Sequence, residues 1–208
     1  MRTSVYVDGF NLYYRALKGT PYKWLDLHTM CRFILPATNT ITSIRYFTAL
    51  VHPRPADPQQ AIRQQIYLRA LATLPMVSIV LGSFLSTTVR MLLANPPQQG
   101  PRIVEVIKTE EKGSDVNIAA HLIHDAHQDR FDVAVLVTND SDLAEPIRIV
   151  TREIGRPVGV LYPGGHQSRV LTQHATFVRP IRQGVLRVSQ FPDMLTDAHG
   201  TFSKPASW

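Results

Sequence analysis

Four aspartates stand where this sequence passes from one kind of element to the next. Asp8 follows the short β-branched and aromatic run Thr3 to Val7, Asp115 opens a helical pattern after Lys112-Gly113-Ser114, and Asp140 and Asp142 follow the unbroken apolar run Val133 to Val137. That last run has the composition of a strand buried on both faces, as in a parallel sheet. In an open parallel sheet, ligands bind in the crevice beyond the carboxyl ends of the strands, so acids at strand ends are acids at a site. Four carboxylates at one sheet edge suit a hard divalent cation, Mg²⁺ or Mn²⁺, which takes oxygen ligands and can polarise a phosphoryl oxygen.

Each acid also has a plainer explanation. Asp115 and Asp142 fall in first helical turns, where the helix dipole favours negative charge, Asp142 to Glu145 fits a capping box, and Asn11 is placed to cap the next helix. Asp8 and Asp140 resist that reading, since neither is the best-placed cap and both follow strands expected to be buried. A carboxylate there is costly to desolvate unless a cation or donors compensate. The coincidence of all four is the argument. Lys112 is a candidate phosphate contact, whereas Glu110 and Glu111 read as a solvated charge run. His121, His124 and His127 share one helix but lack the HExxH spacing and read as its solvated face. Gly164-Gly165 before His166 is a weak phosphate-loop signal and reads as a turn.

The elements that must position these residues alternate. After the first strand a short helix is expected over Leu12 to Lys18, then one capped by Asp26 with Leu27, Met30, Cys31, Ile34 and Leu35 on one face, ending at Pro36. A strand over Ile41 to Val51 is followed by a helix from about Pro58 to Ala72, with Ile62, Ile66, Ala70 and Leu74 inward. Met76 to Leu85 reads as a strand. Arg90 to Leu93 and Arg102 to Lys108 flank a proline-rich loop and read as a projecting hairpin, an insertion at about 85–108. The helix after Ser114 carries Ile118, Ala119, Leu122, Ile123 and Ala126 on one stripe. Val133 to Thr138, a helix marked by Leu143, Ile147, Val150 and Ile154, a strand over Pro157 to Tyr162, a short helix and a run from Thr176 to Ile181 follow. The alternation predicts a three-layer α/β domain over residues 1–182, with a central, mostly parallel sheet whose first strand and Val133 strand meet at a switch point. Residues 183–208 form an extension expected to pack through Phe191, Met194, Leu195 and Trp208.

Composition narrows the class. The 208 residues carry a net charge of +6, with a pI near 9.7, which favours polyanionic partners. No apolar run approaches the ~20 residues that span a bilayer, and Asp8 interrupts any signal-like start, so a soluble, cytoplasmic protein without membrane engagement is expected. The single cysteine, Cys31, excludes an internal disulfide or thiolate zinc site and reads as core. There is no GxGxxG after the first strand and no Walker lysine, which counts against dinucleotide or P-loop chemistry.

Three motifs, VYVDGFNLYY at Val5 to Tyr14, KGSDVNIAAHLI at Lys112 to Ile123 and VAVLVTNDSDLAEPI at Val133 to Ile147, resemble the NYN domain family, a PIN-like nuclease branch that includes bacterial DUF88 or LabA-like proteins. The resemblance extends to about Tyr162. It implies a PIN-like α/β sandwich in which Asp8, Asp115, Asp140 and Asp142 hold Mg²⁺ or Mn²⁺ and act catalytically. Asn11, Lys112, Thr138 and Ser141 are the implied substrate contacts. Hydrolysis of an RNA phosphodiester by metal-activated water would leave a 5′-phosphate. In Asn139-Asp140-Ser141 this chain departs from members that have a glycine beside the aspartate.

The expected function is therefore a metal-dependent endoribonuclease acting on single-stranded or structured RNA, with a homodimer allowed. The alternatives are a non-catalytic RNA-binding or regulatory adaptor and, third, a small-molecule or nucleotide enzyme using the same crevice. Arg45, Arg63, Arg90 and Arg102 are basic residues that could line an RNA path.

Overall fold

The computed structural model describes residues 1–208. The chain begins with β1 (Arg2–Asp8), α1 (Gly9–Leu12, continued by a π turn to Leu17), α2 (Leu27–Ile34), β2 (Thr40–Thr48), α3 (Gln60–Ala72) and β3 (Val77–Leu81). Two longer strands, β4 (Ser83–Leu92) and β5 (Ile103–Lys112), lead to α4 (Ser114–His127) and β6 (Val133–Val137). Then come α5 (Ala144–Arg148), β7 (Val158–Pro163), α6 (Arg169–His174), β8 (Phe177–Ile181), α7 (Gln183–Val188), β9 (Met194–Asp197) and β10 (Gly200–Ser203). No helix is long and apolar enough to cross a membrane.

Six strands form one sheet in the order β3-β2-β1-β6-β7-β8, with every neighbouring pair parallel. Strand order runs outward in both directions from the β1–β6 pair, so these two flank the switch point, as the sequence pattern implied. Their side chains alternate between two cores. Val5, Val7, Val133, Val135 and Val137 enter a core with Trp24, Met30 and Leu71, while Tyr6, Ala134 and Leu136 enter another with Ile118, Leu122 and Ile147. Helices cover both faces, so both sets of alternating positions must be apolar, which explains the unbroken run at Val133. Cys31 lies in the first core, where burial pushes its thiol up to about 12.

Two expectations need correction, and a third holds except at one residue. In α3, Ala70 is buried and Ile66 and Leu74 pack against the first core as expected, but Ile62 is half exposed and the other buried residues are Tyr67, Leu68 and Leu71. The helix is polar at Gln60, Arg63, Gln64 and Gln65, and Tyr67, whose hydroxyl donates to the Leu25 carbonyl at 2.9 Å, sets its inward face. The hairpin is longer than expected: β4 and β5 pair antiparallel from Ser83 with Lys112 to Leu92 with Ile103, as a separate two-stranded sheet. Its surface leaves Leu85, Leu92, Ile103 and Ile107 exposed. The residues after Arg182 pack on the first core as expected through Phe191, Leu195 and Trp208, with Phe191, Phe202 and Trp208 surrounding the fully buried Trp24, whereas Met194 is exposed.

Arg45 belongs to the interior as well. Its guanidinium pairs with the buried Asp125 of α4, which also accepts from the Tyr6 hydroxyl at 2.7 Å and pairs with Arg130 at 3.0 Å. A cation so engaged does not line an RNA path.

Candidate active site

The ends of β1 and β6 and the start of α4 converge on a cavity of about 380 Å³ lined by Asp8, Asp115 and Asp140. Asp8 is the deepest, with 5% of its surface exposed. Both Asp8 and Asp140 prove to be caps, against the sequence reading. Asp8 accepts the Asn11 backbone N–H at 2.9 Å and starts α1, while Asp140 accepts that of Asp142 at 3.0 Å and starts the 3₁₀ turn Ser141–Leu143. Neither Asn11 nor Asp142 is the cap expected. The reason is spacing: a cap side chain reaches the N–H two or three positions on, which fits the aspartate at each strand end.

Capping does not neutralise these acids. None of Asp8, Asp115, Asp140 and Asp142 takes part in the ion pairs of the chain. Burial, followed by repulsion from Asp115 and Asp140, raises Asp8 to about 6 against the ordinary 3.8, despite the hydrogen bonds it accepts. Asp115 is also raised, by burial and then by Asp140, Glu111 and Asp142. The carboxylates are thus close enough to repel one another, and the donor set is the all-oxygen kind that Mg²⁺ or Mn²⁺ favours. They do not form a prearranged coordination sphere: no three such side chains are gathered tightly enough to enclose an ion.

A short network holds the loops in place. Thr138 donates to Asp8 Oδ2 at 3.1 Å and accepts the Asp140 N–H at 3.1 Å, so one buried hydroxyl ties the two acids together. Asn11 Oδ1 accepts the Asn139 N–H at 3.0 Å, and Asn139 reaches across to the His166 carbonyl and the Ser168 N–H. Gly9 has a steric role, because a Cβ there would lie 2.6 Å from the Tyr46 ring and 2.7 Å from the Phe47 carbonyl. Gly113 is left-handed at φ 101° and turns the chain into α4, where Glu111 Oε1 accepts both the Ser114 N–H and its hydroxyl.

Several expected substrate contacts have other surroundings. Lys112 is exposed and pairs with Glu110 at 3.2 Å, while Glu111 lines the cavity. Successive strand residues point to opposite faces, so the two cannot share one side. Thr138 is buried within the network, and Ser141 and Asp142 are exposed beside the cavity and not among its lining residues. Asn11 does line it. The sequence reading missed Arg15 and Arg54, exposed cations without a carboxylate partner that line the same cavity, together with Gln60 and Phe84. His121 packs its ring against Phe47 at 5.7 Å, with no metal cluster around it.

A six-stranded parallel sheet with helices on both faces and an antiparallel hairpin is an α/β architecture consistent with a PIN-like fold. The chain belongs to the NYN domain family, whose model matches residues 2–181. It is 32% identical to 6-hydroxy-3-succinoylpyridine 3-monooxygenase HspA of Pseudomonas putida, over an alignment covering 100% of this chain and 75% of that one. A Vibrio parahaemolyticus protein of unknown function, VPA0982, shares the fold with a TM-score of 0.56 at 14% identity, covering 88% of this chain and 93% of that one.

Proposed function

We propose that the acidic cavity hydrolyses RNA phosphodiester bonds with the help of Mg²⁺ or Mn²⁺. The observation that carries this reading is the charge arrangement: four carboxylates outside any ion pair, Asp8, Glu111, Asp115 and Asp140, line one cavity together with two unpaired arginines. Asp8, Asp115 and Asp140 would hold the cation, with Asp142 adding charge from outside. When bound, such an ion supplies Lewis-acid polarisation of the phosphoryl group and lowers the pKa of water. The chain's own residues do the rest. Arg15 and Arg54 draw the phosphate into an otherwise anionic cavity, Thr138 orients Asp8, and the Asn11 side-chain N–H groups are left to donate to substrate. Lys112, on the opposite face from Glu111, contributes at most long-range attraction, and Ser141 touches substrate only at the entrance.

The test is to incubate purified protein and its Asp8→Asn and Asp140→Asn variants with single-stranded and structured RNA in Mn²⁺, Mg²⁺ or EDTA. Cutting is expected to need both the metal and the aspartates. Cutting that survives either substitution removes these residues from the mechanism. A folded wild type that binds RNA and metal without cutting is an adaptor.

A second reading is oxygenation of a hydroxylated pyridine. The specific observation favouring it is that similarity to the Pseudomonas putida monooxygenase covers this whole chain, including residues beyond the family match at 181. Such a reaction places one atom of O₂ on the ring and reduces the other to water with two electrons from a donor. Hydroxylated product from 6-hydroxy-3-succinoylpyridine, O₂ and a reduced nicotinamide or flavin would establish it.

A further inference from the structure

Beside the acidic cavity lies a second, smaller one of about 90 Å³, whose 14 lining residues include six aromatics: Phe10, Tyr13, Tyr14, Tyr46, Tyr67 and Trp208. The two are continuous in their lining, since Phe10, Tyr14, Val51 and Gln60 belong to both. Tyr46, Tyr67 and Trp208 pack edge to face or tilted, at centroid distances of 6.1 and 5.7 Å, which fixes the walls.

The polar groups in these walls are unequally engaged. Tyr67 donates to the Leu25 carbonyl, Gln64 bonds the backbone of Val51 and Ala49, and Arg63 pairs with Asp57. Tyr46 is 7% exposed, and its hydroxyl has no hydrogen-bond partner in the chain. The oxygen is not itself sealed from solvent, so it is free to exchange water for a bound acceptor. The end of its ring lies against Gly9, one residue from Asp8. Lys23, in the same wall, has no carboxylate partner.

We propose that this cavity is a subsite for a single-ring planar heterocycle, stacked among the tyrosines and Trp208 and presenting a carbonyl or ring nitrogen to the Tyr46 hydroxyl. The class follows from shape and chemistry. Aromatic walls with free donors, the Tyr46 hydroxyl and Lys23 among them, favour a flat ring carrying an acceptor. The volume is below the ~150 Å³ of a dry apolar cavity that takes up benzene, so a six-membered ring is enclosed only in part, its remaining edge lying in the acidic cavity, and a fused bicyclic ring leaves still more of its surface uncovered. Under the hydrolytic reading, on which this assignment rests, the ring is the pyrimidine base of the nucleotide whose phosphate faces the carboxylates, since aromatic stacking is a general means of holding an exposed base. A free hydroxypyridine offers the same chemistry.

The test is binding by the full chain in EDTA, followed by tryptophan fluorescence, with uridine 5′-monophosphate, 2-hydroxypyridine and adenosine 5′-monophosphate as probes. Saturable quenching by the first two is expected, with the adenine nucleotide roughly tenfold weaker or more. Losing one neutral hydrogen bond in Tyr46→Phe should weaken ring binding roughly fivefold, and Trp208→Ala, followed by calorimetry, should weaken it as well. Unchanged circular dichroism establishes that both variants fold. Tighter binding of the nucleotide assigns the ring to RNA, and tighter binding of the hydroxypyridine assigns it to a small molecule; either supports the subsite. Absence of saturable binding, equal binding of adenine, or binding unaltered in both variants overturns it. Because EDTA removes catalysis from the measurement, ring binding without RNA cleavage leaves the subsite and sinks the hydrolytic reading. Cleavage without ring binding does the reverse.

Discussion

Asp8 and Asp125 are both buried carboxylates, and their surroundings are opposite. Asp125 is 1% exposed and is met by cations and a phenol: Arg45, Arg130 and the Tyr6 hydroxyl. Asp8 is 5% exposed and is met by one backbone N–H, one hydroxyl and the fields of two further carboxylates. The first arrangement is complete within the chain. The second is not, because gathering like charges in a poorly hydrated place is unfavourable for folding, and it persists where something outside the chain compensates. Burial of an acid therefore does not mark a site; the sign of its neighbours does.

The comparison breaks most directly at activity. Asp8→Asn should reduce metal-dependent RNA cleavage by on the order of 10⁴-fold, about 5.4 kcal/mol of transition-state stabilisation, while Asp125→Asn leaves cleavage per folded molecule unchanged. Single-turnover rates on a labelled RNA measure both, and equal losses in the two variants would erase the distinction. Stability should show the converse. Removing the charge of Asp125 leaves the half-buried Arg45 without its counter-ion and should cost about 3–5 kcal/mol, read from urea unfolding.

Asp8→Asn should instead stabilise the protein at neutral pH when no metal is present. Its folded value of about 6 lies above the ordinary 3.8, so between these values the folded state binds the proton more tightly than the unfolded chain. Stability is then highest below about pH 4, falls as the pH rises through 4 to 6, and is flat above. The asparagine variant lacks that fall and should gain about 3 kcal/mol at most at pH 7.5 in EDTA. A variant that melts lower than wild type at pH 7.5 would mean that Asp8 is a structural acid like Asp125. Cleavage by the wild type should also decline below about pH 6, as the proton competes for the same carboxylate.

What could be read from the sequence divides along similar lines. The sheet was legible because its central strands are buried on both faces, which forces runs such as Val133 to Val137 that no surface element needs. The acids were legible because they interrupt those runs. Glu111 was not, since it sits in a stretch of alternating charges whose facing is decided only by the register of the hairpin. Arg15 and Arg54 were illegible for a related reason: both are exposed residues whose partner is a cavity formed by distant segments. The aromatic subsite draws on α1, β2, α3 and the tail, so no local pattern could announce it. In α3 the polar residues at Gln60, Arg63 and Gln64 blurred the helical stripe because they line that cavity instead of facing bulk water.

The finest division lies within the acidic set. Asp140 and Asp142 are two residues apart, yet Asp140 lines the cavity and Asp142 is an exposed residue outside it. Asp142 still acts on the site at a distance, since its charge contributes to raising Asp115, although after burial, Asp140 and Glu111. A carboxylate that adds field without ligation should matter less than one that holds the ion, and its influence should be screened by salt, because exposed charges interact through water. Asp142→Asn is therefore expected to lower cleavage by roughly three- to tenfold, equivalent to about 0.7–1.4 kcal/mol, with the deficit shrinking as salt is raised from 50 to 500 mM. Asp140→Asn should show a far larger deficit that salt does not relieve. Equal, salt-independent losses at the two positions would move Asp142 into the cavity's ligand set, and would mean that the turn Ser141–Leu143 rearranges when the cation binds.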